Sequence, residues 1–491
     1  MIRVGLARTR ASYQGLRAPW HPGHVYPELA ALLGETATQG DANPAYAAVR
    51  AALAALGLDA ARFGTPEWNP LGGLAPQGGC VVLKPNFIRH WNPQAGQSVE
   101  SVITHGAVIR AALDYAALAV GPSGSVVLAE APQQDCDWES VSRLAGLPEM
   151  LQLYGDALGR DFRAIDLRRE AVQTADGVIV ARKPLPGDPL GYRAVDLGRT
   201  SFFEGSGLDP NAMRGADYDP AVTGEQHRAG RNAYLLSETV LRADLVVNLP
   251  KLKTHKKTGV TLALKNLVGI NGDKNWLPHH TVGREGDEFP GGAWIDRLRS
   301  RAVEHARGLL AKGRAVGAIR ALRRAENAAR GDAFIRSGNW HGNRTTWRMV
   351  CDLNRAFYYS DASKLRLDAP QPVRRVLTVL DGIVAGEGEG PLAPTDRPLG
   401  AILAAEDPIA LDLAALALMG FDWERVPKVR ELMASAEPRI TRVREPNDVR
   451  VFEAVTDRPT LRELGPDEVP CDGPFTAHSG WRGHIEKVGA R

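Results

Sequence analysis

The residues of this chain best placed to do chemistry are lysines, a histidine and asparagines set at regular intervals behind a short apolar run. Residues 245–255 read LVVNLPKLKTH: Leu245–Val247 is apolar enough for a buried strand, and Lys251, Lys253 and His255 follow at alternate positions. An extended backbone puts alternate side chains on one side, so the three are expected to face together. Val260, Leu264 and Leu267 then recur at helical spacing, while Thr258, Thr261 and Lys265 share another face. Two like charges about 6 Å apart at an effective dielectric near 20 repel by roughly 2–3 kcal/mol. Lysines gathered in a partly buried site therefore call for an anion, either carboxylates from elsewhere in the chain or a ligand. On this reading Lys251, Lys253 and Lys265 hold and polarise the anion, and His255 is its general acid/base.

The same arrangement occurs earlier. Val81–Leu83 is an apolar run that delivers Lys84, Pro85 and Asn86 at its exit, and Ser125–Ala129 ends on Glu130. Thr104 is expected to cap a helix through Val108, Ile109, Ala112 and Leu113, with His105 as its first residue, where backbone N–H groups and the dipole favour anions. Lys84, Asn86 and His105 then form the opposite wall of a site in which Asn266, Asn271 and Lys274 order the ligand. Val376–Leu380 is a strand closed by Asp381–Gly382, followed by a Gly-rich loop carrying Glu387 and Glu389. These carboxylates would repel a phosphate and suit the hydroxyls of a sugar-derived ligand, a divalent metal, or ion pairs with the lysines. His255, His279 and His280, with Asp381, are the candidate metal ligands.

Strand–helix alternation over the first half predicts an α/β fold, a mainly parallel sheet with helices on both faces. Ligands of such sheets collect beyond the carboxyl ends of the strands, where Lys84, Glu130 and Lys251 fall. The expected organisation is an α/β region over 1–292, a basic helical insertion over 293–335, a second part of the α/β core over 336–430, and a wrapping segment over 431–491. The insertion carries an Ala-heavy apolar stripe among eight arginines from Arg297 to Arg324 and is a candidate partner helix.

Composition narrows the classes. At 491 residues, 44% apolar and 24% charged, the chain is long enough for large cores, and a net charge of +3 is too small for a general nucleic-acid binder. No signal peptide or membrane-spanning run is evident, which makes a cytoplasmic location the default. Cys80, Cys136, Cys351 and Cys471 form no Cys-x-x-Cys pair, so nothing signals a ferredoxin-type iron–sulfur cluster, and reduced thiols are the expectation. A P-loop is missing, and no G-x-G-x-x-G follows the first strand to signal NAD.

With those residues in view, the chain resembles the family known as domain of unknown function 362 (DUF362). The resemblance rests on Lys84–Asn86, Thr104–His105, the run ADLVVNLPKLKTHKKTGVTLALKNLVG, Asn271–Lys274, Asp381–Gly382 with Gly388–Pro391, and Glu406–Pro408 with Asp412. The stretches KNWLPHH and SGNWHGN mark a subgroup with an added central segment. Some members carry a ferredoxin-like four-cysteine module, which this chain lacks, so a redox role does not carry over. What the resemblance implies is a shared site at the strand exits. The expected function is an enzyme acting on a small phosphorylated or carboxylated metabolite, its reaction undetermined. A metal-dependent oxidoreductase using iron or nickel, and a non-catalytic assembly protein using the 295–330 helix or a homo-oligomer contact, are the alternatives.

Overall fold

The computed structural model describes residues 1–34, 42–175, 178–215, 220–283, 285–290, 301–306, 309–310, 315–321, 324, 337–454 and 461–487. Much of the expected 293–335 insertion, including most of its arginines, lies outside these residues. Within it, 301–306 and 316–321 are helical.

An eleven-stranded sheet organises the chain. Its strands include β1 (Ile2–Arg8), β2 (Cys80–Pro85), β3 (Ser125–Glu130), β4 (Asp161–Asp166), β5 (Leu245–Leu249), β6 (Lys251–His255), β7 (Val376–Glu389), β8 (Ala393–Ala405), β9 (Val449–Ala454) and β10 (Leu461–Leu464). The order across it is β10-β9-β1-β8-β7-β5-β2-β3-β4, with β6 extending the pairing along β7. The run β7-β5-β2-β3-β4 is parallel throughout, and β8 is antiparallel to both β7 and β1. The sheet is mainly parallel, as the alternation of elements indicated.

Both faces are covered. Alternate residues of one strand enter different cores: Val81, Leu83, Leu245 and Val247 pack under α1 (Pro44–Leu56) and α2 (Gly106–Val120). Val82 and Val246 face α3 (Leu262–Asn266), α4 (Thr346–Tyr358), α5 (Pro408–Met419) and α6 (Pro427–Ala434). This is why the central strands read as continuous apolar runs. Local signals set the helix ends. Asn43 caps α1 by accepting from Tyr46 N–H, and Asp407 caps α5 through Ile409 and Ala410 N–H, each followed by proline in the first turn. Among the described residues no helix is long and apolar enough to cross a membrane.

Before β5, the strand Arg231–Ser237 pairs with Tyr192–Asp196 and runs into a short helix at Glu238–Arg242. Two expectations are corrected here. His105, not Thr104, caps α2: its Nδ1 accepts from Ala107 N–H at 3.1 Å. Thr104 instead donates to Leu249 O at 2.6 Å and accepts from Asn86 N–H, tying the exits of β5 and β2 together. The Gly-rich 386–390 stretch is mostly strand rather than loop, since β7 continues unbroken to Glu389 against β8.

Candidate functional site: a lysine-lined cavity at the strand exits

Side by side, β5, β2 and β3 end in Asn248–Leu249, Lys84–Pro85 and Glu130. From there the chain of β5 crosses Pro250 into β6, whose residues are all buried. Lys253 Nζ donates to Asn86 Oδ1 at 2.8 Å and to the Val102 carbonyl. Asn86 Nδ2 donates to Asn266 Oδ1 at 2.7 Å, Asn266 Nδ2 to Asn248 Oδ1 at 2.8 Å, and Asn248 Nδ2 to Ala263 O at 3.1 Å. Each amide fixes the next, so three asparagines from β5, α3 and the β2 exit hold one lysine amine in place.

Above this relay lies a cavity of about 440 Å³. Among the described residues its lining includes Lys253, Lys256, Lys257, Lys265 and Lys274, against two carboxylates, Glu130 and Asp135. Both carboxylates are ion-paired, Glu130 with Lys84 at 2.5 Å and Asp135 with Arg89 at 3.0 Å. Lys265 makes no hydrogen bond or ion pair among the described residues. Burial, then Lys274, Lys428 and Lys84, bring its pKa down to about 7, with Glu130 opposing. Lys274 donates to Ala131 O at 2.7 Å and is lowered to about 8, mainly by burial. Thr261 Oγ1, buried and without a hydrogen-bond partner among the described residues, belongs to a residue that also lines the cavity.

Of the three imidazoles in the lining, those of His255 and His279 have their tautomers set by hydrogen bonds. His255 Nδ1 accepts from Lys257 N–H at 3.1 Å, which leaves the proton on Nε2. Burial and then Lys265 and Lys256 push its pKa well below the ordinary histidine range. His255, expected as the general acid/base, is therefore placed as a neutral donor. His279 has the other tautomer, its Nδ1 donating to Leu277 O at 2.7 Å, and burial likewise keeps it neutral, with Nε2 as an acceptor.

Other candidate residues lie elsewhere. Lys251 is separated from Lys253 by an irregular register against β7, where Lys251 pairs with Asp381 and Lys253 with Gly386. The expected common side for Lys251, Lys253 and His255 thus holds only for the last two, which line the cavity. Fully buried, Lys251 forms a 2.9 Å ion pair with Asp381. Asp381 also accepts from Tyr13 O–H and, at 2.9 Å, from His105 N–H, so it contacts neither the cavity nor the candidate metal-ligating histidines. The His105 ring stacks on Tyr13 at 3.7 Å, and burial lowers its pKa to about 3, making it a helix cap rather than a cavity wall. Lys84 lies beneath the cavity floor, paired to Glu130 and donating to Pro85 O. Asn271 Oδ1 accepts from Leu235 N–H at 2.8 Å, locking a turn. Glu387 accepts from Thr476 N–H, and Glu389 holds His478 at 2.9 Å and Ser479; both carboxylates clamp the C-terminal segment to β7. His280 lines the cavity with its Nε2 4.0 Å from Glu288. Among the described residues no three His, Cys, Asp or Glu side chains converge on a metal-sized site.

Sequence reasoning passed over Lys256 and Lys257, although they adjoin His255 in the KTHKK run. It also passed over Gly269, where the backbone must approach closely. A Cβ there would sit 2.0 Å from Glu130 Oε1 and 2.8 Å from Lys84 Nζ. We expect Gly269→Ala to destabilise the protein by about 1–3 kcal/mol, as overpacking does. The check is a lowered urea midpoint, and an unchanged midpoint would contradict the close approach.

Fold and site together define an α/β protein with a cation-lined cavity at the carboxyl ends of parallel strands. The chain belongs to the DUF362 family, described as a domain of unknown function, whose match covers residues 164–417 and so takes in β5, β6, α3 and β7. Over 197 residues it is 23% identical to the thylakoid-associated protein sll1697 of Synechocystis sp., covering 40% of this chain and 39% of that protein. The chain thus aligns with well under half the length of that relative. No solved structure gives a significant match.

Proposed function

We propose that this protein is an enzyme that binds a small anionic metabolite, phosphorylated or carboxylated, in the lysine-lined cavity. The observation that carries the reading is Lys265, an amine unpartnered among the described residues, in a cavity whose two described carboxylates are already committed to other cations. Lys253 and Lys274 flank the anion, Asn86 and Asn266 fix Lys253, and Thr261 Oγ1 supplies a further hydrogen bond. Chemistry at the bound molecule falls to the neutral imidazoles of His255 and His279. His255 Nε2–H donates to a developing negative charge, and His279 Nε2 accepts a proton from the ligand. Such a pair supports proton transfer within a carbonyl or hydroxy acid.

Bound anion favours the charged form of Lys265, so binding takes up a proton wherever the free amine is neutral. Apparent affinity should fall as pH rises above about 7, by up to tenfold per pH unit for a single linked group. Calorimetric titration with sulfate, a dianion throughout pH 6–9, tests this on the full chain. We expect weakening above pH 7, proton uptake seen as a dependence on buffer ionisation heat, and loss of at least tenfold in affinity for Lys265→Gln. Affinity that ignores both pH and the substitution would remove the site.

A further inference from the structure

The cavity has a second wall that a bare anion does not need. Its lining also includes Val172, Val178 and Ile179, from the hairpin of Glu170–Ala175 and Val178–Pro184, together with Val303, Leu310 and Ile319. Pro391 and Leu392, in the β7–β8 connection, continue the apolar surface beside Lys256. Three segments distant in sequence thus converge to present branched apolar side chains to the space that Lys265 enters. Val178 is 1% exposed and Val172 8% exposed, which makes this a built wall rather than a scatter of surface residues.

Resting on the anion site proposed above, we propose that the occupant is a soluble amphiphile, a singly or doubly charged anionic head on a short hydrocarbon chain. The head sits among Lys253, Lys265 and Lys274, and the chain lies against the hairpin and Val303, Leu310 and Ile319. Charge complementarity fixes the orientation, because a tail placed among the lysines would desolvate them without compensation. An uncharged hydrocarbon would leave the same cations unmatched. A cavity of about 440 Å³ is in the range of small-ligand pockets, which combine apolar walls with a few placed polar groups. Burying one methylene strengthens binding about fourfold.

The test compares methyl sulfate with hexyl sulfate, anions of equal charge that differ by five methylenes, with hexan-1-ol as the headless control. On the full chain at pH 6.5, hexyl sulfate should bind on the order of 100-fold more tightly than methyl sulfate, with the gain below the full per-methylene product because the wall covers one side of the chain. Hexan-1-ol should show no saturable binding. Leu310→Ser and Ile179→Ser, from two different segments, should each cut the hexyl-to-methyl ratio at least fivefold, with folding checked by circular dichroism. Equal affinities for the two sulfates would overturn the amphiphile while leaving the anion site standing; binding of neither would remove both. Sedimentation with phosphatidic acid vesicles but no binding of hexyl sulfate would also overturn it, in favour of a membrane surface.

Discussion

Replacing Lys251 by Met is expected to cost about 3–5 kcal/mol of stability, the usual penalty for stripping one partner from a buried ion pair. Lys251 and Asp381 are both fully buried and 2.9 Å apart, so the substitution leaves a carboxylate enclosed with only neutral donors, Tyr13 O–H and the His105 and Ile383 N–H groups. Asp381→Asn keeps the shape and removes the stranded charge. The double variant Lys251→Met/Asp381→Asn should therefore be more stable than Lys251→Met alone, giving a favourable coupling of about 1–3 kcal/mol in a double-mutant cycle. Urea unfolding of the four proteins measures it. If Lys251→Met unfolds at the wild-type midpoint yet loses ligand binding, Lys251 belongs to the site after all. If all four stabilities simply add, the pair is not the structural unit described here.

That distinction bears on what the sequence could reveal. The strand–lysine pattern at Leu245–His255 and at Val81–Asn86 was legible because a buried parallel strand must be continuously apolar and its polar exit residues stand out against it. The meeting of Lys253, His255, Lys265, Asn86 and Asn266 followed from placing those exits side by side. Lys251 was misplaced because alternation assumes an even register, and the irregular pairing between Lys251 and Lys253 depends on β7, more than a hundred residues away. The 386–390 glycines suggested a loop because glycine marks turns, yet here some of them admit close neighbours. A Cβ on Gly390 would lie 2.3 Å from Thr254 O, and one on Gly386 would lie 2.9 Å from Ser101 O. Glu387 and Glu389 looked like ligand-binding carboxylates, and only the fold shows the C-terminal segment already engaging them. The apolar wall left no local signal, since Val172, Val178 and Leu310 read as ordinary strand and helix residues until three segments are brought together.

Lys265→Met should make the protein more stable and less able to bind anions. The folded-state pKa of Lys265 is lowered from 10.5 to about 7, so folding works against its charge. The sign follows from proton counting. Between pH 7 and about 10 the unfolded chain binds a proton that the folded chain does not, and wild-type stability rises with pH through that window. The penalty is complete below pH 7 and gone above about 10.5. Its ceiling is about 5 kcal/mol. Because the side chain is only half-buried, solvent screening brings the expected gain of Lys265→Met down to about 1–2 kcal/mol. The gain should be largest at pH 6–7 and fade toward pH 10. Ligand reverses the order: an anion at a hundred times its dissociation constant stabilises the wild type by about 2.7 kcal/mol, and a variant that binds it a hundredfold more weakly by only about 0.4 kcal/mol. Thermal melts of both proteins at pH 6.5, with and without saturating hexyl sulfate, should therefore cross, the variant melting higher alone and lower with ligand. A variant that melts below the wild type in both conditions would show Lys265 to be a structural amine, held by contacts rather than kept in reserve for a ligand.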